Sequence, residues 1–228
     1  MSRVIVIVGF GPGTATAVAD RFGAEGFSVA LVARNEERLA AGVSALNERG
    51  ITAFGFQADA ADPASIRAVM TSIRSQMGPI KVLHWNAYGG LDVGDILTAE
   101  PTALRRVFDV AVFGLLVALN ESLADLKSDN GAVLVSNGGF GEISAGIDEM
   151  AANQHFMGIA LASAAKNKLV GLLAPRLKGD GIYVGEVTTY GAIKGTTPGV
   201  DGSIDPTRIA AEFWRLYQSR SETRGSVK

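Results

Sequence analysis

The segment from Val4 to Thr16 limits the possible folds more than any other part of the chain. It opens with five consecutive β-branched residues and runs directly into a loop that contains Gly9, Gly11 and Gly13. A strand buried on both faces of a parallel sheet has such an unbroken apolar run, and glycines behind it allow a tight turn close to a ligand. The helix that follows points its free N–H groups at this ligand, which favours a phosphate. The segment therefore predicts the start of a nucleotide-binding βαβ unit.

The rest of the chain alternates between strand-like and helix-like segments. We expect strands at residues 3–8, 28–33, 52–57, 81–85, 132–136 and 182–187, with a short seventh strand near 225–228. Helices are expected at residues 13–25, 36–49, 63–76, 102–126, 156–174 and 206–220. This alternation predicts an α/β fold, a Rossmann-like doubly wound parallel sheet of six or seven strands with helices on both faces. Since no linker-like segment divides the chain, we expect a single Rossmann-like domain over residues 1–228.

Composition argues against several classes of function. The net charge is −2 with both signs scattered along the chain, so we expect neither a nucleic-acid partner nor a membrane partner. The chain has no Cys, which excludes disulfides and thiolate chemistry, and its two His lie in unrelated contexts, so no metal site is expected. The apolar run at residues 4–8 is too short for a membrane span or the core of a signal peptide. We therefore expect a cytoplasmic protein.

The predicted helix 102–126 is apolar on every face between residues 110 and 119. A surface helix keeps one polar side, so one face of this helix should cover the sheet and another should be buried elsewhere. A second copy of the chain is the simplest cover. It predicts a homodimer or homotetramer formed through helices 102–126 and 156–174. The alternative is burial beneath a long loop of the same chain.

Two phosphate-binding patterns can be tested against the glycine loop. The P-loop pattern requires Lys followed by Ser or Thr after its last glycine, and Thr14 and Ala15 stand there instead. The dinucleotide pattern G-x-G-x-x-G/A is met at Gly9 and Gly11, with Thr14 in the third place. Taken instead as G-x-x-x-G-x-G, the loop supplies Gly9 and Gly13, and the small Ala15 still permits close packing of helix and strand. Both alternatives favour a dinucleotide.

The end of the second strand indicates which dinucleotide binds. In NAD sites an acid usually stands there and holds the ribose 2′-hydroxyl. Here Arg34 occupies that neighbourhood and Arg38 follows one helical turn later. Because a guanidinium suits a 2′-phosphate, the two arginines favour NADP(H). The alternative is that Arg34 is simply solvated at the end of its strand.

These features together resemble the short-chain dehydrogenase/reductase family over nearly the whole chain. The resemblance rests on the glycine loop, on Arg34 with its neighbours, on Asp59 after the third strand and on residues 85–89 after the fourth. It implies an oxidoreductase with a nicotinamide cofactor. The implied cofactor contacts are Gly9, Gly11, Gly13, Thr14, Arg34 and Arg38 on the phosphate side, Asp59, Ala60, Asn86 and Ala87 on the adenosine side, and Lys166, Ile193, Thr196 and Thr197 at the nicotinamide end.

The catalytic set that this family uses is largely missing. Family members donate a proton from a Tyr, whose pKa is lowered by a Lys four residues later, and a Ser and an Asn assist. Here Ala111 stands in the place of the Asn, Gly138 in that of the Ser and Ala162 in that of the Tyr. Lys166 alone remains, and its alternative interpretation is a solvated lysine on a surface helix.

Other residues near the same sheet edge could supply the missing acid and polar contacts. The catalytic candidates are Tyr190, Ser136, Asn137 and His155. Tyr190 could instead line the pocket, and His155, although it titrates near neutrality, could be a solvated or capping residue. Tyr88 is expected to pack against its neighbours and His84 to be a buried structural residue.

The sequence therefore supports two functions. The first is an atypical NADP(H)-dependent oxidoreductase of the short-chain type that acts on a small carbonyl or alcohol substrate with a non-standard proton donor. The second is a non-catalytic relative that binds NADP(H) as a sensor or an assembly module. The recognisable cofactor half and Lys166 favour the enzyme, whereas the loss of three catalytic residues favours the second function.

Overall fold

The computed structural model of the protein describes residues 3–196 and 202–228. Seven parallel strands form one sheet in the order β3-β2-β1-β4-β5-β6-β7. The strand order reverses between β1 and β4, and open α/β sheets bind ligands at such a point, outside the carboxyl ends of the strands. The predicted Rossmann-like sheet is confirmed. Its strands are β1 (Arg3–Val8), β2 (Phe27–Ala33), β3 (Ala53–Gln57), β4 (Ile80–Trp85), β5 (Ala132–Gly138), β6 (Tyr183–Thr189) and β7 (Arg224–Val227).

Helices cover both faces of this sheet. In the described residues they are α1 (Thr14–Ala24), α2 (Glu36–Asn47), α3 (Pro63–Met77), α4 (Pro101–Phe108), α5 (Leu115–Ser128), α6 (Ala145–Asn153), α7 (Met157–Lys178) and α8 (Pro206–Ser219). One core lies between the sheet and α1, α2 and α8. The other core lies between the sheet and α3, α5 and α7. Residues 4–8 of β1 are all buried, because this double cover brings apolar side chains to both faces of the strand.

Side-chain caps explain where three of the helices begin. The carboxylates of Asp62 and Asp205 accept hydrogen bonds from backbone N–H groups in the first turns of α3 and α8, and each is followed by a proline. Asn35 does the same for α2 by accepting from the N–H of Arg38 at 2.7 Å. Such caps satisfy N–H groups that have no partner within the helix. Proline is tolerated at the first helical position because its missing N–H is not needed there.

The largest departure from the sequence-based expectation lies in the helix expected at 102–126. The structure divides it into α4, a π-helical segment at Asp109–Gly114 and α5. A helix at Ala145–Asn153 and a short 3₁₀ turn at Gly139–Gly141 were not expected. Sequence periodicity missed α6 because its apolar residues do not recur at helical spacing over enough turns.

The π-helical segment brings the helix backbone against the carboxyl end of the sheet. A Cβ placed on Gly114 would collide with the carbonyl oxygen of Ala60 and would lie 2.9 Å from the Trp85 ring. Only glycine therefore permits this approach. The close packing fixes the distance between the long helix and the residues that follow β3.

Among the residues that the structure describes, two helical stretches are long and apolar enough to cross a membrane by length and composition, Pro101–Ser128 and Met157–Lys178. Both stretches contact strands of the sheet, α5 at β4 and α7 at β5 and β6. Core helices commonly pass a test of length and composition. The two stretches are therefore weak support for a membrane span, and the packing explains their composition.

Candidate functional site

The glycine loop holds its shape through backbone conformation and close packing. Gly9 has a φ of 88° and donates its N–H to the Val32 carbonyl at 2.9 Å. A Cβ placed on Gly9 would lie 2.5 Å from the Ala87 Cα, so no larger residue fits. Gly13, with a φ of 83°, precedes α1 and has no side chain to cap it. The first turn of α1, which begins at the buried Thr14, can therefore direct its N–H groups at an anion.

Asn86 and Ala87 support this loop from the end of β4. The Asn86 side-chain amide donates to the Gly9 carbonyl at 3.0 Å, and its backbone N–H donates to the Val8 carbonyl at 2.8 Å. Both residues therefore position the glycine loop. Tyr88, which follows them, is 63% exposed, so the expectation that it packs is wrong.

The two arginines expected to hold a 2′-phosphate lie next to the loop. Both side chains are exposed. The Arg38 guanidinium lies 3.7 Å from the position that a Cβ on Gly11 would take. Arg34 lies at the end of β2, where its carbonyl accepts a hydrogen bond from the Gln57 side chain at 3.0 Å. The structure thus places a positive charge on each side of the β2–α2 turn.

Asp59 is held by a residue that the sequence did not reveal. Arg106 of α4 donates to its two carboxylate oxygens at 3.1 and 2.8 Å, and the backbone N–H of Ala61 donates to it at 3.0 Å. Burial alone would raise the pKa of the Asp59 carboxyl. These hydrogen bonds outweigh burial, so the pKa is lowered. No local pattern marks Arg106, which lies 47 residues further along the chain.

The segment after β6 comes back to the glycine loop. A Cβ placed on Gly13 would lie 3.3 Å from Ile193 and would collide with Thr196. The Thr196 hydroxyl donates to the Ile193 carbonyl at 2.9 Å, which closes a tight turn. Gly13, expected on the phosphate side of the dinucleotide, is thereby brought next to Thr196, which is expected at the nicotinamide end. Thr197 lies outside the described residues.

Lys166 of α7 is buried, with only 4% of the residue exposed, which excludes the interpretation as a solvated surface lysine. Its Nζ donates to the Ser136 carbonyl at the end of β5, at 2.8 Å. Burial lowers the pKa of its amine to about 8, against the opposing effect of the Glu186 carboxylate. The candidate site therefore contains an amine whose pKa lies well below the ordinary value for lysine.

The Ser136 side chain faces away from this amine. Its hydroxyl lies 3.0 Å from Nε2 of His84, whose ring packs against Phe213 with centroids 4.8 Å apart. His84 is fully buried, as expected, and burial lowers its pKa to about 3. The ring is thus neutral at physiological pH. It ties Ser136 to the core on the opposite face of the sheet.

Asn137 and Glu186 form the centre of a buried polar network. The Asn137 amide donates to the Ser163 carbonyl at 2.9 Å and to the Glu186 carboxylate. Glu186 is fully buried on β6, and its second oxygen lies 3.3 Å from Nε of Arg224. Glu186 is not among the residues expected at the site, although a single charged residue within an apolar strand is a usable signal.

The other catalytic candidates lie around this cluster in different ways. Tyr190 packs its ring against Gly139, and its hydroxyl donates to Glu142 at 3.2 Å. Burial and the neighbouring Glu142 carboxylate raise the pKa of the phenol. His155 is exposed between α6 and α7 with a φ of 57°, and it lies beside Gly94. The structure therefore brings Ser136, Asn137 and Lys166 together and leaves His155 at the loop that follows α6.

Alanine stands at the two positions where the family that this chain resembles has Asn and Tyr. Ala111 and Ala162 are both buried in one small apolar cluster together with Val93 and Val107. The described residues also contain no group of three His, Asp or Glu side chains suited to a metal ion.

The chain is similar to known proteins in sequence and in fold. 2-(S)-hydroxypropyl-CoM dehydrogenase 3 of Xanthobacter autotrophicus is 30% identical over 191 residues, which cover 82% of this chain and 70% of the relative. L-sorbose reductase from Gluconobacter frateurii, solved with NADPH and L-sorbose, superposes with a TM-score of 0.86 at 19% identity, over 100% of this chain and 95% of the other. A short-chain dehydrogenase/reductase mutant from Serratia marcescens has a TM-score of 0.85 at 23% identity, over 99% and 96% of the two chains.

The two structural neighbours support the fold, and the sequence matches establish the family. The model that describes short chain dehydrogenase matches residues 3–192, from the first strand to the segment after β6. This span contains the glycine loop, the Arg34 turn and Lys166. The chain belongs to the short-chain dehydrogenase family.

Proposed function

We propose that the protein is an NADP(H)-dependent oxidoreductase that interconverts a small carbonyl compound and its alcohol. The observation that carries this proposal is the buried Lys166 amine at the sheet edge that also holds the glycine loop. Names of relatives support it, since they include dehydrogenases such as the Xanthobacter protein. Solved neighbours in complex with NADP or NADPH support the choice of cofactor.

The residues at the site fit a phosphorylated dinucleotide. The uncapped start of α1 suits a pyrophosphate, and the exposed guanidinium of Arg38 beside Gly11 suits a 2′-phosphate. When bound, the nicotinamide would supply or accept the hydride. In this proposal the cofactor contacts are Gly9, Gly11, Gly13, Thr14, Arg34 and Arg38, then Asp59, Ala60, Asn86 and Ala87, and finally Lys166, Ile193 and Thr196.

The four catalytic candidates take unequal roles in this proposal. Asn137 and Ser136 hold the end of β5 in place through Glu186 and His84. Tyr190 lines the site and does not donate the proton, because burial and the Glu142 carboxylate raise the pKa of its phenol. His155 is exposed in the loop between α6 and α7 and has no assigned role in the reaction.

A non-catalytic NADP(H) sensor or assembly module is the second candidate. The apolar cluster around Ala111 and Ala162 favours it, because alanine stands there at two positions that are catalytic in the family. The exposed apolar side chains Phe113, Leu161 and Leu172 on the π-helical segment and α7 suit a homodimer or homotetramer in either case. We place the protein in the cytoplasm under both functions.

Calorimetric titration with NADPH and NADH tests the cofactor. We expect NADPH to bind much more tightly than NADH. In the variant Arg34→Ala, NADPH should lose about 1.5–3 kcal/mol of binding free energy, as for a hydrogen bond to a charged group, while NADH should be nearly unaffected.

The control is Arg67→Ala, which removes an exposed arginine of α3 outside the proposed site. It should leave both affinities unchanged. An equal loss for both dinucleotides in Arg34→Ala would remove Arg34 from the site. Absence of binding by either dinucleotide would overturn the proposed function.

A further inference from the structure

The Asp59 carboxylate lies in the turn between β3 and α3, and its side chain is 34% exposed. One guanidinium nitrogen of Arg106, Nη2, donates to Oδ1 at 3.1 Å and to Oδ2 at 2.8 Å. The backbone N–H of Ala61 donates to Oδ1 at 3.0 Å. An ionised carboxylate accepts about four hydrogen bonds, two at each oxygen. Among the described residues, Oδ1 has two partners and Oδ2 has one, so Oδ2 can accept one more.

Arg106 holds this carboxylate from outside the turn that carries it. It belongs to α4 and lies 47 residues beyond Asp59 in the chain. Its backbone packs near the end of β4, since a Cβ placed on Gly89 would lie 3.6 Å from the Arg106 carbonyl oxygen. The charge of Arg34, at the end of β2, also acts on Asp59. The position of the carboxylate therefore depends on a side chain from α4, between the ends of β2 and β4.

Apolar residues lie beside this turn. Ala60, which follows Asp59, packs against the core cluster that contains the buried Ala87 and Val110. A Cβ placed on Gly89 would also lie 3.6 Å from the Val110 side chain, so Gly89 adds no bulk of its own there. Ligand sites commonly combine such apolar surface with a few polar groups that fix the orientation of the ligand. A nucleotide base, which has a flat apolar body and polar edge groups, suits this arrangement.

We propose that Arg106 is a positioning residue for the base of the cofactor. It holds the Asp59 carboxylate so that the remaining acceptor site on Oδ2 meets an amino group of the base. The inference rests on the proposed function and deepens its adenosine side. Because an ionised carboxylate accepts and does not donate, it favours a base with an amino group over one with a carbonyl oxygen in the same place. Without Arg106 the carboxylate can turn toward water, and this preference is lost.

The first test compares two cofactors that differ in the base. Calorimetry measures the affinity of the protein for NADPH and for its hypoxanthine analogue, in which a carbonyl oxygen replaces the 6-amino group of adenine. We expect NADPH to bind about 10-fold or more tightly, as for one hydrogen bond to a charged group. Equal affinities would overturn the inference and leave the proposed function standing. Absence of binding by either cofactor would contradict both.

The second test removes the positioning side chain. Arg106→Ala should bring the ratio of the two affinities most of the way toward one. Both cofactors carry the same phosphates and the same nicotinamide, so a general loosening of the site would weaken both alike and leave the ratio unchanged. Arg105→Ala is the matched control, because Arg105 is exposed on the same helix, and it should keep the wild-type ratio. A wild-type ratio in Arg106→Ala would overturn the inference.

A double-mutant cycle tests whether Arg106 acts through Asp59. Asp59→Ala should remove the preference for NADPH over the hypoxanthine analogue. If Arg106 only positions the carboxylate, adding Arg106→Ala to Asp59→Ala should not change the ratio of affinities any further. A further change in the double variant would show that Arg106 contacts the base itself, and the positioning role would be wrong. An Asp59→Ala protein that keeps the full preference for NADPH would also contradict the inference.

Discussion

The two ends of the same sheet edge are built in different ways. After β1 and β2, the site is made by backbone conformation, with Gly9 and Gly13 at positive φ and exposed arginines beside them. After β5 and β6, it is made by side chains that bind one another, such as Asn137 with Glu186. The first end leaves donors and charges available to a ligand. The second end has already used most of its polar groups within the protein.

This difference decides how far each end of the sheet edge tolerates substitution. A backbone loop with a helix N-terminus binds the phosphates of many cofactors in the same way, so it tolerates change in the rest of the site. A buried polar network is costly when it is incomplete and therefore constrains every member. Among the described residues of that network, Lys166 is a member whose ionisation can still change near neutral pH.

The largest expected effect would break the backbone-built end. Gly9→Val adds a side chain whose Cβ alone would lie 2.5 Å from the Ala87 Cα, at a position with a φ of 88°. Overpacking and backbone strain together should lower the free energy of unfolding by about 3 kcal/mol or more. Urea denaturation measures the change.

Gly50→Ala is the control for this variant. Gly50 has a φ of 76°, but a Cβ there would have no atom within 4 Å. Only the backbone cost remains, about 1 kcal/mol. If both variants lost the same stability, close packing against Ala87 would not be what fixes the loop.

An intermediate effect concerns the side-chain-built end. His84 is buried and its pKa is lowered to about 3, so the folded protein requires a neutral ring. The unfolded chain binds a proton near pH 6.5, and stability is therefore full above that pH and is lost as the pH falls from 6.5 toward 3. Between pH 7 and pH 5 we expect a loss of about 2 kcal/mol in urea denaturation. His84→Gln should lack this slope, and an unchanged slope would assign the loss to other groups.

The smallest effect tests a side-chain contact within the backbone-built end. Arg106 and Asp59 are 42% and 34% exposed, and solvent screens such pairs. Arg106→Ala should cost about 0.5 kcal/mol of stability, and it should return the pKa of Asp59 toward its ordinary value, which carboxyl NMR can follow. The neighbouring exposed Arg105→Ala should do neither. A loss several times larger would show that side chains support this end as strongly as they support the other.

The structure is predictable from the sequence where its determinants are local. The strand, glycines and helix of residues 3–24 lie within one continuous segment, and their pattern predicts their structure. The end after β5 and β6 depends on partners that are far apart in the chain. His84 and Ser136 are separated by 52 residues, Asn137 and Glu186 by 49. Nothing in the sequence near either partner specifies such a pair, so the resemblance identified the positions without revealing their contacts.

The π-helical segment escaped prediction for a different reason. Residues 110–119 are apolar around the whole helix. The additional residue of a π turn therefore shifts no visible boundary between apolar and polar positions in the sequence. A π turn is detected in sequence only when polar residues mark the faces on both sides of it. The structure was needed to divide the stretch at Asp109 and Gly114.

That wider turn also sets the angular relation between the two parts of one long helix. Each residue advances an α-helix by about 100°, and a π turn holds more residues than an α turn. The segment at Asp109–Gly114 therefore rotates the side chains of α5 relative to those of α4. As a result α4 contacts α7, whereas α5 contacts β4 and α3. One insertion or deletion in the segment would turn the apolar side of α5 away from the sheet, so the length of this turn is as constrained as its composition.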